Sequence, residues 1–175
     1  MKVLFVSLFT IFFSVSAMAY SSADITKEEV KMAKEAWGNG IVKIGKKFTN
    51  NKDYVTAARN HILESYDYMN GQVLFKPTLA AERPFRPDLE GALSYFVGGN
   101  ENYQEDAGFA IKPWTNVRFD NHQTVYFGPR AVSMGHYYFT TTSGEEVKVE
   151  YTLGFIKRDD GIKIWLQDSS LPFAN

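Results

Sequence analysis

The feature that most constrains this chain is a change of hydrophobic period part-way along it. From about Ala110 onward, apolar residues recur at every second position. Val147, Val149, Tyr151, Leu153 and Phe155 alternate with Lys148, Glu150 and Thr152, the pattern of a strand with one face in a core and the other in water. Thr142-Ser143-Gly144 and Asp159-Asp160-Gly161 supply hairpin turns on either side, and residues 131–140 and 162–169 read as the neighbouring strands. In the first of these, Val132, Met134, His136 and Tyr138 share a face. Two shorter strands are predicted at 117–119 and 124–127, the second stopped by Gly128-Pro129.

Upstream the period is helical. Thr26 and Glu29 form a capping-box pattern, and Val30, Ala33, Trp37, Ile41 and Ile44 follow at helical spacing. Gly38, Gly40 and Gly45 fall inside this stretch and predict a break near its middle. A second helix is predicted over 53–68, with Tyr54, Ala58, Ile62, Ser65 and Met69 on one side and Asn70-Gly71 turning the chain. Val73-Leu74-Phe75 reads as a short strand stopped by Pro77. Pro87-Asp88-Leu89-Glu90 opens a third helix carrying Leu89, Ala92, Leu93 and Phe96, closed by Gly98-Gly99. Helices first and an antiparallel meander after them define an α+β fold.

The first residues read as a leader rather than as part of that fold. Lys2 precedes an apolar run over 3–15, and Ala17-Met18-Ala19 is an A-x-A cleavage pattern, so a signal peptide is expected over 1–19 and a mature chain from Tyr20. The run is too short for a membrane anchor. A single domain over 20–175 is expected, exported to the periplasm; zero Cys is compatible with that compartment when the core is large enough to need no disulfides.

Composition removes several chemistries. The mature chain keeps 18 basic and 20 acidic side chains, a net charge of −2 with no basic stripe, which argues against nucleic acid. Without Cys there are no thiolate ligands or nucleophiles, and the three His are far apart, so no metal site and no cofactor are expected. Aromatic residues are plentiful, with 14 Phe, 10 Tyr and 3 Trp. Hydroxyls, amides and carboxylates in aromatic surroundings are the available tools.

Three polar positions stand in apolar company. Thr78, closing the strand at Lys76-Pro77, reads either as a turn hydroxyl or as a group at a cavity rim. Tyr95 sits within Ala92-Leu93-Ser94-Tyr95-Phe96, as a core tyrosine or a site residue. Gln167-Asp168-Ser169-Ser170 follows Ile164-Trp165-Leu166, as a frayed strand end or a pocket wall. His136 reads as a satisfied core imidazole, His61 as helical and His122 as a loop residue.

Several runs resemble one known family. They are Val73-Leu74-Phe75-Lys76-Pro77-Thr78-Leu79-Ala80, Ala92-Leu93-Ser94-Tyr95-Phe96-Val97-Gly98-Gly99, Gly108-Phe109-Ala110-Ile111-Lys112-Pro113-Trp114 and Val117-Arg118-Phe119. Val147-Lys148-Val149-Glu150-Tyr151-Thr152-Leu153-Gly154-Phe155 and the final Ser169-Ser170-Leu171-Pro172-Phe173 complete the match. The chain is similar to the iota-class carbonic anhydrases of the small single-domain, metal-free type. That resemblance implies a nuclear transport factor 2-like cone, with N-terminal helices packed in a strongly curved antiparallel sheet. It also implies a homodimer and reversible hydration of CO2 to bicarbonate.

Carried over motif by motif, the resemblance assigns Thr78, Tyr95 and Ser169 to the catalytic pocket; Ser170, next to Ser169, and Trp114, as an aromatic wall, are further substrate-binding candidates. The family commonly has a His-His pair before Ser-Ser, and here Gln167-Asp168 takes its place, leaving Asp168 as the candidate base. Two other classes use the same cone. One is a periplasmic binding module for bicarbonate or a hydrophobic acid, without catalysis. The other is an isomerase or cyclase for larger apolar substrates, with Asp168 or His136 as base.

Overall fold

A computed structural model describes residues 23–174; the expected leader and the mature start at Tyr20 lie outside the described residues. Three helices come first: α1 (Lys27–Thr49), α2 (Tyr54–Ser65) and, after the short strand β1 (Leu74–Lys76), α3 (Leu89–Val97). Four long strands follow, β2 (Asn116–Phe127), β3 (Arg130–Thr140), β4 (Glu146–Arg158) and β5 (Gly161–Ser170), in a curved sheet ordered β1-β5-β4-β3-β2. The helices cover one face, where Trp37, Ile41, Ile44, Ala58, Ile62 and Phe96 meet Tyr137, Phe139, Leu153 and Phe155 of the sheet.

The helix starts follow from their caps. Thr26 and Glu29 make the reciprocal capping box, Asp53 accepts from the Thr56 N–H at 2.9 Å, and Asp88 accepts from the Gly91 N–H at 2.7 Å. The predicted break in α1 does not occur: the helix runs 23 residues without interruption. Its glycines serve close approach instead. A Cβ on Gly40 would stand 2.2 Å from the His61 ring of α2, and one on Gly45 would stand 2.7 Å from the Lys112 carbonyl oxygen. The close packing at these two positions outweighs the weak helix propensity of glycine.

The second helix is shorter than its sequence suggests. It stops at Ser65, Tyr66 turns to extended backbone, and a 3₁₀ turn over Asp67–Met69 follows. Two cations fix this end. Lys163 Nζ donates to the carbonyls of Leu63 at 3.4 Å and Glu64 at 3.0 Å, and Arg158 holds both carboxylate oxygens of Asp67. Tyr66 is thereby sent into the core while Met69 faces solvent, 71% exposed.

Three strand expectations are corrected. The two short strands at 117–119 and 124–127 are one strand, β2, because a bulge at His122 lets it bend without breaking its pairing to β3. The sheet is not wholly antiparallel, since β1 reaches β5 through the helical region and pairs with it in parallel, Leu74 opposite Leu166 and Lys76 opposite Asp168. The face of β3 carrying Val132, Met134, His136 and Tyr138 is the outer one. Ala131, Ser133, Tyr137 and Phe139 are the buried set, so His136 is not a core imidazole.

Alanine at position 45 would gain up to about 1 kcal/mol of helix propensity. The fixed Lys112 carbonyl reverses the sign: Gly45→Ala is expected to lower the urea unfolding free energy by about 1–3 kcal/mol, the usual range for overpacking.

Candidate functional site

A small cavity of about 10 Å3 lies where α1, α3 and the β1 end meet β3 and β5. Its walls are Trp37, Phe75, Pro77, Thr78, Tyr95, Phe96, Phe109, Tyr137, Gln167 and Ser169. At that size it holds about one water, so CO2 and its attacking water need the hydroxyl-bearing walls to part. Each polar wall group is placed by its element. Pro77 ends β1, so Thr78 leaves the sheet at the cavity rim, half-buried. On α3, Tyr95 is 6% exposed, stacked on Phe109 at 5.6 Å and edge-on to Phe75 at 6.0 Å. Strand alternation turns Gln167 and Ser169 inward from β5, and Tyr137 inward from β3.

These groups form one hydrogen-bonded chain. Trp37 Nε1 donates to the Tyr66 hydroxyl at 3.0 Å, which donates to Gln167 Oε1 through a short bond. Another short bond joins Tyr137 and Ser169. Gln167 Nε2 points at Tyr137 Oη at 3.5 Å and at Ser169 Oγ at 3.4 Å, long contacts that leave its donors open to a guest. Burial pushes the Tyr137 phenol up to about 12, although hydrogen bonds from Ser169, Gln167 and Thr78 oppose the shift. Burial raises the Tyr95 phenol further still, against opposing bonds with the Leu79 backbone and the Thr78 hydroxyl. Both phenols are therefore neutral hydrogen-bond donors near pH 7, and the cavity wall carries no carboxylate, imidazole or ammonium group.

The loop that carries Thr78 is tied to the segment after α3. Glu105 accepts the backbone N–H groups of Ala81, Glu82 and Arg83 at 2.6, 2.9 and 2.8 Å, which pull its carboxyl down to about 2. Arg86, fully buried, pairs with Asp106 at 2.7 Å, and Asp106 also accepts from the Ser94 hydroxyl at 2.6 Å, one residue before Tyr95. Thr78 and Tyr95 are thus positioned by one network.

Thr78, Tyr95 and Ser169, singled out in the sequence, are brought together. Asp168 and Ser170 are not with them, because the same alternation that buries Ser169 turns both neighbours outward. Asp168 pairs with Lys76 at 3.0 Å on the outer face, its side chain 57% exposed, and Ser170 donates to Glu150 at 3.3 Å. Trp114 is also outside the lining: it packs behind it, on Phe109 and Phe139, with its indole N–H on the Phe109 carbonyl. His61 is buried behind α1, His122 and His136 lie on β2 and β3, and among the described residues no cluster of metal-ligating side chains forms. Sequence reading missed Tyr137, Trp37 and Tyr66 as site groups, and Gln167 as an inward one. Counting positions in twos back from Ser169 would have found Gln167. A larger cavity, about 710 Å3, lies between α1 and β2 and contains none of these groups.

Comparisons with known proteins place the chain in a family and a fold. A family model described as metal-independent carbonic anhydrase matches residues 28–171. A protein of that name from Nostoc sp. is 38% identical over 153 residues, covering 85% of this chain and 75% of the relative. Among solved structures, a cyanobacterial iota-carbonic anhydrase complexed with bicarbonate superposes with a TM-score of 0.85 at 35% identity, covering 91% of this chain and 99% of that one. An NTF2-like protein with a cystatin-like fold from Novosphingobium aromaticivorans shares only the fold, with a TM-score of 0.54 at 9% identity over 85% and 83% of the two chains. The fold is the nuclear transport factor 2-like α+β arrangement, and the chain belongs to the metal-independent carbonic anhydrase family.

Proposed function

We propose that this protein hydrates CO2 reversibly to bicarbonate in the small cavity. The observation that carries the reading is the convergence of hydroxyls from four segments, Thr78, Tyr95, Tyr137 and Ser169, on one small aromatic-walled space. CO2 is apolar and linear, and the aromatic walls accept it without removing a charge from water. As a water oxygen bonds to the carbon, one C=O electron pair moves onto oxygen. The Ser169 and Tyr137 hydroxyls and Gln167 Nε2 stand where donors are needed for that growing charge. The water proton leaves through neighbouring hydroxyls, with half-buried Thr78 beside Tyr95 as the way to solvent.

The absence of an ionisable base on the wall is the one observation favouring the second reading, a module that binds bicarbonate without turning it over. An isomerase or cyclase is not supported by the small cavity, which cannot hold its substrate. Both candidate bases, Asp168 and His136, stand in an open groove of about 420 Å3 on the outer sheet face, where an apolar substrate would not be enclosed. Export and a homodimer belong to the same proposal. The leader pattern supports the first, and exposed Val125, Phe127 and Met134 on the outer sheet face support the second.

Stopped-flow CO2 hydration by metal-stripped protein tests the reading. Activity above buffer is expected, reduced roughly 100-fold in Thr78→Val and Ser169→Ala, the scale for losing one preorganised donor. A rate no higher than buffer at high protein concentration leaves only the binding module. Asp168→Asn, altered on the far face, is expected to keep the rate within about twofold, since surface pairs are worth little.

The buried phenols also set an alkaline limit. For Tyr137 the folded state favours the neutral phenol, so its stabilising contribution is complete below the ordinary pKa of 10.0 and disappears as pH rises through about 12. Urea midpoints are expected to fall across that window, and to fall less in Tyr137→Phe.

A further inference from the structure

The 710 Å3 cavity between the first half of α1 and β2 shares no lining residue with the small cavity. At its inner wall stands Lys34, only 6% exposed. Among the described residues no carboxylate pairs with it. Its Nζ donates to Asn121 Oδ1 at 2.5 Å, Ser133 Oγ at 2.6 Å and Tyr151 Oη at 3.0 Å. The hydroxyls of Ser133, Tyr151 and Thr124 are aimed at that same Asn121 oxygen, at 2.5, 3.1 and 3.2 Å. A carbonyl oxygen has two lone pairs, so the Lys34, Ser133 and Tyr151 donors already exceed its capacity; the Thr124 hydroxyl has a nearer acceptor in Ser133 Oγ at 3.0 Å.

This cluster is rich in donors, holds a buried positive charge, and lacks an anion. Buried charges are ordinarily matched by an opposite one, and the ring of Tyr151, 5.1 Å from Nζ, compensates only in part. Burial alone pulls the Lys34 ammonium down to about 8, a shift that an incoming anion would oppose. Lys27, Lys31 and Arg118 also line the cavity. Lys31 lies 3.7 Å from Glu28 and 3.9 Å from Glu35, and Arg118 pairs with Glu146 at 3.1 Å. Among the described residues, the cation at the inner wall that lacks a carboxylate is therefore Lys34. Val30, Val117, Phe119 and Tyr126 form an apolar strip of the wall, beside polar Asn116, His122, Gln123 and Thr124. The volume is that of a small-molecule site and far exceeds what bicarbonate would fill.

We propose that this cavity binds an organic monocarboxylate with an apolar body, its carboxylate at Lys34 and its body along Val117, Phe119 and Tyr126. The carboxylate supplies the missing acceptor: two oxygens take hydrogen bonds from the ammonium and the hydroxyls that now crowd Asn121. The inference stands apart from CO2 hydration, because no group is common to both cavities.

Isothermal titration of the full chain with octanoate and with benzoate tests it. One saturable site is expected, weakened at least about tenfold in Lys34→Met, as for loss of a charged hydrogen-bond partner. Lys34→Met keeps the side-chain length and is expected to retain CO2 hydration. Tyr126 is 40% exposed, so Tyr126→Ala is a second variant that leaves the fold intact and is expected to weaken the same binding. Absence of binding by either acid at millimolar concentration overturns the proposal. So does affinity unchanged in both variants, or affinity lost in Thr78→Val and kept in Lys34→Met.

Discussion

The buried hydrogen-bond chain Trp37–Tyr66–Gln167–Tyr137–Ser169 is the constraint on which the site depends. A buried polar group left unpaired costs on the order of 1–3 kcal/mol, so each member needs the others in place. Trp37 ties α1 to the chain, Tyr66 ties the end of α2, and the sheet supplies the last three from β3 and β5. Trp37 also stacks on Tyr137 at 5.7 Å, so the same side chains that satisfy one another's polar atoms fill the centre of the core. Core and site are one construction, and this explains how a cavity can be held open among neutral side chains.

A second network does for the loops what this chain does for the sheet. Arg86 is fully buried, with its guanidinium on Asp106 and over the Tyr103 ring at 4.4 Å. Nε and Nη1 of Arg86 find no partner among the described residues, so this pair is not optimised for stability alone. Buried ion pairs are poor stabilisers compared with apolar packing, and their better-attested use is to fix one arrangement. Here the arrangement fixed is that of the segment bearing Thr78 against the helix bearing Tyr95.

What was legible in the sequence was whatever is local and periodic. Caps at Thr26, Asp53 and Asp88, turns at Gly144 and Gly161, and the alternation in β4 are all readable because each depends on neighbours within a few residues. What was not legible depends on partners far away. The glycines of α1 look like helix breakers until His61 and the Lys112 carbonyl are known to lie against them. β2 looks like two strands because its bulge falls among polar residues, and only pairing to β3 shows that it continues. The face of β3 could be read either way, since Met134 and Tyr138 are as apolar as Tyr137 and Phe139. Helix packing decided it.

The same limit governs the departure from the family pattern. As a string, Gln167-Asp168, where the resemblance leads one to expect two histidines, reads as the loss of two imidazoles at once. On a strand it is two unrelated changes, because adjacent residues occupy opposite faces. Asp168 joins Lys76 on the outer face, 3.0 Å away, and is not among the groups lining the cavity. Gln167 alone meets the site, and there it accepts from Tyr66 with one atom and faces Tyr137 and Ser169 with the other. An imidazole at that position would bring a titratable group into the wall, and the amide brings a fixed donor and acceptor. Position 167 therefore adds no titratable group to the wall, which the Thr78, Tyr95, Tyr137 and Ser169 hydroxyls line beside it.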